Sequence, residues 1–298
     1  MVVTQTPPRL AGTAESPKAR RPGVFSRFRG TTLLKILVLT VFLGPIFLAV
    51  VNSLRANADI FRYGGSLSIR NFIPIPAILS NFSSALQLPN FTQQLLNSLV
   101  LGVVQSTATV VLALLAALAL ARIRFRFRGA VFYAILATMF LPFEALAAPI
   151  FLVVKNLGQL DSFWGLLLPW VAAPIAIFTL RQAIADVPRA LDEAIMIDGG
   201  GLFHILRHAI LPNIWPAMIT AWLTTFIYVW DSFLWPLIVI RSPTKQLAQV
   251  GIISLINPNE VDYGTLFAAS LIATAPVVVL FLALQRYYRE GTVASGLK

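Results

Sequence analysis

The feature that most limits this chain is a series of six apolar runs, each close to the roughly 20 helical residues that cross a hydrocarbon core of about 30 Å. They lie at about 32 to 52, 93 to 121, 130 to 154, 163 to 181, 213 to 240 and 264 to 285. Lipid offers no hydrogen bonds to the backbone, so such runs are expected as helices. The expected fold class is therefore all-α, a polytopic membrane protein with six transmembrane helices. Hydrophobic residues make up 57% of the 298 positions and charged residues 12%, which is more apolar surface than a single soluble core of this size uses. Pro45, Pro142, Pro149, Pro174 and Pro276 fall inside the runs, where neighbouring helices can satisfy the freed carbonyls. No repeat and no second folded domain stand out.

The charges report topology. A net charge of +11 on a soluble protein would suggest nucleic acid, but here the arginines flank apolar runs and form no stripe interleaved with stacking aromatics. With the N-terminus inside, the inner segments carry sixteen Lys and Arg and the outer ones six, so the positive-inside rule places both termini in the cytoplasm. Residues 1–30, rich in Pro, Arg, Ser and Ala, are expected as a disordered cytoplasmic tail. Residues 31–298 follow as the membrane domain. The first run is longer than a signal-peptide core and five more follow it, so it is expected to be retained. There is no cysteine, which excludes disulfides and thiolate metal sites.

One polar interruption, LDEAIMIDGGGLFHILRHAILP at 191–212, breaks this pattern. Asp186 and Pro188 read as a cap and first-turn proline, opening a short helix. Leu191, Ala194, Ile195 and Asp198 recur at helical spacing before Gly199, Gly200 and Gly201 turn the chain. A second short helix is expected from about Leu202 to Ile210, ended by an extended residue ahead of Pro212. Leu191, Ile195, Phe203, Leu206 and Ile210 form an apolar stripe on helices too short to stand alone, which fits helix-in-groove recognition of a partner.

Glu193-Ala194, Asp198-Gly199 and Ile210-Leu211-Pro212 together resemble the EAA coupling motif of permease subunits from bacterial ATP-binding cassette (ABC) importers. The stretches LLNSLVLG, ALALARIRFRFRG, LPFEALAAPIFL, WDSFLWPLIV and GTVASGLK are similar to the carbohydrate branch, of the kind of the second maltose permease subunit. The likeness covers about residues 32–298. It implies a type I ABC importer permease fold in a bacterial inner membrane, with a cytoplasmic coupling loop at 182–212 whose 186–212 part meets an ATPase. It also implies a companion permease, two ATP-binding cassette subunits carrying ATP and Mg, and an extracytoplasmic solute-binding protein. Under the resemblance Glu193, Ala194, Ile195, Asp198, Gly199, Phe203, Leu211 and Pro212 are the coupling residues. Glu193 would contact a polar or basic group, and Ala194 with Ile195 would fill an apolar socket. Two positions depart from the pattern: Ile195 replaces a second alanine, and Asp231 replaces an asparagine.

Acids in spans usually face a cavity. Counting 1.5 Å per residue places Glu144 and Asp231 in the outer half of the membrane, where they could meet. Trp230, Tyr228 and Asn97 join them as candidate pathway residues, the carboxylates accepting hydrogen bonds from sugar hydroxyls and the aromatics, with Trp164, Trp170 and Trp235 nearby, stacking on rings. The competing reading is that the acids pair with donors inside the helices and the tryptophans form an interfacial belt. A proton-coupled secondary transporter using Glu144 or Asp231 is the rival function. His204 and His208, spaced i, i+4, lack the Glu of the zinc protease motif and a third ligand, so no metal is expected. The chain has no P-loop, and no enzyme motif with a convincing context, so ATP hydrolysis is expected on a separate subunit.

Overall fold

The structure, a computed structural model, describes residues 24–64, 69–256 and 261–296. Helix α1 runs Val24–Ser53, α2 Asn57–Gly64, α3 Ser80–Gln87, α4 Phe91–Arg122, α5 Arg128–Ala137, α6 Phe143–Asn156 and α7 Phe163–Leu167. They are followed by α8 Pro174–Asp186, α9 Arg189–Ile197, α10 Leu202–His204, α11 Leu211–Trp230, α12 Leu234–Val239, α13 Ala248–Ile253 and α14 Tyr263–Gly296. No strand occurs among the described residues. The tail expected at 1–30 lies outside the described residues up to residue 23, and α1 already begins at Val24.

Thr32–Ser53, Phe91–Arg122, Leu202–Trp230 and Tyr263–Tyr287 are long and apolar enough to cross a membrane. The other two expected spans are broken. Arg128–Phe140 and Phe143–Asn156 meet at 104°, and Phe163–Trp170 and Pro174–Asp186 at 47°. Proline is the cause. Leu141 and Ala173 are extended (ψ 117° and 114°), as crowding by the next residue's Cδ favours, and Pro142 and Pro174 start or precede a new helix. Pro45, Pro149 and Pro276 stay inside helices, as expected. The fifth span stops at Trp230, short of the expected 240, because Pro236 cannot donate to the Ser232 carbonyl as a continuous helix would require.

The described residues divide into two compact units at Phe47 and Leu48. In the first, α1 exposes Leu33, Leu37, Val41 and Phe42. In the second, α4 packs against α8 and α11, and α11 packs against α14. A seam of small residues on α4, Ser98, Gly102, Ser106, Ala113, Ala117 and Ala121, makes this close approach feasible. At Gly102 a Cβ would stand 2.7 Å from the Phe226 ring, itself fully buried on α11. One apolar cluster joins the C-terminal half of α4 to Leu180 and Ile184 of α8 and to Ile210 and Ile214. A second joins Leu101 at the other half of α4 to Leu166, Val229, Trp235 and Val239.

Candidate functional site

At the C-terminal end of α8 the chain leaves the bundle through Val187 and Pro188 and forms the nine-residue helix α9. Asp186 is the last residue of α8 rather than the cap of α9, whose N-cap position is Pro188 with no side-chain cap. The glycine turn is as expected, with detail the sequence did not contain. Gly199 takes φ +81°, and the Gly199 and Gly200 amides donate to Met196 O (3.1 Å) and Ile195 O (2.8 Å), a Schellman closure of the helix. Gly200 is constrained by space, since a Cβ there would lie 2.9 Å from Ile195 O.

The chain does not break again at Leu211-Pro212. Residues Ile205–Ile210 form a π turn running directly into α11, and Leu211 is helical (φ −53°, ψ −45°) rather than extended. Pro212 cannot donate to the His208 carbonyl, and the wider turn with the Asn213 side-chain amide bonded to Ala209 O (2.7 Å) absorbs the defect.

The apolar stripe divides in two. Ile195, Leu206 and Ile210 face the core cluster, with Leu211 packed beside them. The face left exposed is Leu191, Met196, Ile197, Leu202 and Phe203, with Ile197 85% and Phe203 67% accessible. Glu193, Ala194, Asp198 and Pro212 are exposed too. Ile195, expected to fill a partner's socket, is half-buried against its own bundle, because the two turns that follow α9 fold its far side inward. His204 and His208 stack at 6.2 Å, and the His208 Nδ1 lies 3.1 Å from the His204 carbonyl. No group of three or more potential metal ligands occurs among the described residues.

Midway along α4 a cavity of about 540 Å³ opens, lined by the aromatic faces of Phe143, Trp170, Tyr228 and Trp235 and by the polar Gln105, Thr224, Asp231 and Ser232. A smaller cavity of about 250 Å³ shares Gln105, Trp170, Thr224 and Tyr228. Trp170 and Trp235 meet edge to face at 5.7 Å, with Phe143 tilted against Trp170 at 5.4 Å. The Trp235 indole donates to Gly165 O (3.2 Å), whereas the buried Trp170 indole N–H has no partner among the described residues. Of the five pathway candidates only Tyr228 and Asp231 line this cavity. Trp230 is buried, donating to Ala273 O of α14 (3.1 Å) and stacking on Phe226. Glu144 is exposed in the first turn of α6, where its neighbour Phe143 is the lining residue. The 104° bend invalidates the straight-helix depth count for Glu144. Trp170 and Trp235, considered from the sequence as stacking surfaces, also line it, whereas Gln105 and Thr224 were not singled out, although a glutamine inside an apolar run is itself a signal of a polar interior.

Asn97 belongs to a different structure at the N-terminal end of α4. Its amide donates to Thr244 O (2.8 Å) and Gln246 O (3.0 Å) and accepts from Gln93 (2.9 Å). Gln94 donates to Pro243 O (3.1 Å), and the Ala248 amide donates to Ser98 (2.9 Å). Beside them Asp161 accepts from the Arg241 and Ser242 amides (3.0 and 2.9 Å), the Ser242 hydroxyl and Lys245 Nζ (3.1 Å). The Ser242 hydroxyl above all, then its amide, holds the Asp161 carboxyl far below the usual carboxylate range.

The comparisons with known proteins decide what this bundle is. Residues 109–292 match the family described as the binding-protein-dependent transport system inner membrane component. This chain belongs to that family. The permease is 31% identical over 279 residues to the arabinooligosaccharides transport system permease protein AraQ of Bacillus subtilis, covering 92% of this chain and 97% of the relative. It is 30% identical over 279 residues to the sn-glycerol-3-phosphate transport system permease protein UgpE of Salmonella choleraesuis, covering 90% and 98%. Its fold is that of a chain in the crystal structure of a bacterial ABC transporter that imports the acidic polysaccharide alginate. That match has a TM-score of 0.77 and 23% identity, covering 91% of this chain and all of the other. The permease is thus a multi-pass membrane subunit of an ABC importer. Family membership disfavours the proton-coupled alternative on Glu144 or Asp231.

Proposed function

We propose that this permease carries a sugar or related solute, and that the segment from α9 through the π turn docks on a separate ATP-hydrolysing subunit. The observation that carries the docking part is the exposed apolar face of Leu191, Met196, Ile197, Leu202 and Phe203 around a rigid glycine turn. Helices this short gain little from their own backbone, so a presented apolar face of this kind is stabilised by a groove on a partner. Glu193, exposed at its edge, supplies the polar contact, and Gly199 aims the helix. The working assembly holds this chain, a second permease subunit, two ATP-binding cassette subunits with ATP and Mg, and an extracytoplasmic solute-binding protein. Both termini lie in the cytoplasm, by the sixteen-to-six bias of basic residues.

The solute reading draws on relatives named for arabinooligosaccharide and sn-glycerol-3-phosphate transport and on the cavity beside α4. Its volume is within the range of small-molecule sites, and aromatic faces with a few polar groups suit a hydroxyl-rich ring. In the transport pathway Tyr228 and Trp170 supply stacking surface, while Gln105, Thr224 and Asp231 exchange hydrogen bonds. Purification with copurifying chains identified is expected to yield an ATP-hydrolysing subunit, and uptake persisting in its absence overturns the docking part. Trp170→Ala and Tyr228→Ala are expected to lower uptake of the solute more than Glu144→Ala. The reverse order removes the cavity from the pathway.

A further inference from the structure

α9 has a single buried residue, and it is an acid. Asp192 is the one position of the helix turned fully inward. Its Oδ2 lies 2.8 Å from Nε of Arg122, the last residue of α4, with the two side chains only 10% and 7% exposed. The same guanidinium donates through Nη2 to Val187 O (2.8 Å), the residue that closes α8 and leads into α9. One guanidinium therefore reaches both the root of α9, by a hydrogen bond, and its first turn, by an ion pair in which Nε does not make a hydrogen bond.

Few other attachments constrain α9. Ile195 rests half-buried on the core, and the chain continues through the glycine turn. By contrast α4 is one unbroken 32-residue helix packed against α8 and α11. Midway along, α4 forms part of the cavity wall: Gln105 and Leu101 line the cavity, and Gln105 stands seventeen residues from Arg122, about 25 Å along a helix.

We infer that Arg122 and Asp192 are a positioning pair through which displacement of α9 tilts α4 and reshapes the solute cavity. The inference rests on the docking of α9 proposed above. A buried pair is a poor source of stability compared with apolar packing, but removing one partner leaves a charge uncompensated and the geometry free.

The test uses the assembled importer in membrane vesicles. Because the permease has no cysteine, Ile197→Cys gives it a single thiol on the exposed face of α9. In this background a bifunctional thiol-to-amine reagent is expected to link the permease to its ATPase subunit. Asp192→Asn and Arg122→Lys are then expected to keep that link and to keep ATP hydrolysis. Solute carried per ATP should fall on the order of ten-fold or more, and Arg122→Asp with Asp192→Arg should recover part of it. A link retained with solute per ATP unchanged overturns the positioning pair and leaves the docking intact. No link in the Ile197→Cys parent overturns the docking and the pair with it. Where Asp192→Asn fails to assemble, Arg122→Lys, which keeps the buried charge, decides between the same outcomes.

Discussion

The two ends of α4 are built differently. At its N-terminal end Gln94, Asn97 and Ser98 fasten the backbone of residues 243–248, and the Asp161 carboxylate accepts four further hydrogen bonds from Arg241, Ser242 and Lys245. At its C-terminal end Arg122 grips α9 by one charged contact and one carbonyl. Many short, mutually supporting bonds resist local opening, whereas a short helix on one ion pair and a glycine turn can shift as a unit. The comparison teaches where this permease can convert force into movement: at the lightly tethered end, with the opposite end as the fixed point.

The largest expected effect comes from breaking the mobile end. Gly199→Leu places a branched side chain at φ +81°, which costs about 1–2 kcal/mol of backbone strain and re-aims α9. Uptake and stimulation of ATP hydrolysis by solute should be abolished while membrane insertion is kept. Normal uptake would remove the turn from the mechanism.

Next is the helix between the two ends. Gly102→Val drives a side chain into the Phe226 ring, so the α4–α11 seam must open, at a cost of about 1–3 kcal/mol. A lower melting temperature in detergent checks this, and an unchanged one shows that the ring can give way.

At the fixed end, Asp161→Ala should speed amide exchange at residues 241–248 with uptake lowered only in part. The same site sets a pH test. Its folded pKa lies below the unfolded value, so its stabilising contribution is complete above the ordinary carboxylate value near 4 and is lost as pH falls below that. Protection of this segment, corrected for intrinsic exchange, should be flat from about pH 8 to pH 5 and decline only below about pH 4. A decline near pH 6 would assign the control to another group. The smallest effect is expected from Asn97→Ala, which removes three bonds from a network that keeps those of Gln94, Ser98 and Asp161. A loss of uptake as large as that from Tyr228→Ala would move Asn97 into the solute pathway.

Much of the fold was legible because lipid imposes a simple rule. Six apolar runs became four unbroken helices and two bent pairs, and the three glycines ended α9 where expected. The bends were less legible, since proline inside an apolar run is compatible with both continuity and a break. Pro149 lies within α6, while Pro142 precedes it across a 104° turn. Neighbouring helices decide which outcome holds. The same dependence explains the misassigned side chains. Spacing alone put Ile195 on the partner-facing stripe and Trp230 on the solute pathway, yet both face their own bundle.

By itself the sequence determined the solvent of each segment, the number of runs that cross it, and the turn that only glycine adopts without strain, because hydropathy and φ are properties of local chain. Only the tertiary structure decided which side chains share a cavity and that Asp192, ordinary in sequence, is the buried partner of Arg122 seventy positions away. Such pairings depend on which helix faces lie against each other. That is settled by the packing of small residues along α4 against α8 and α11, not by any one segment.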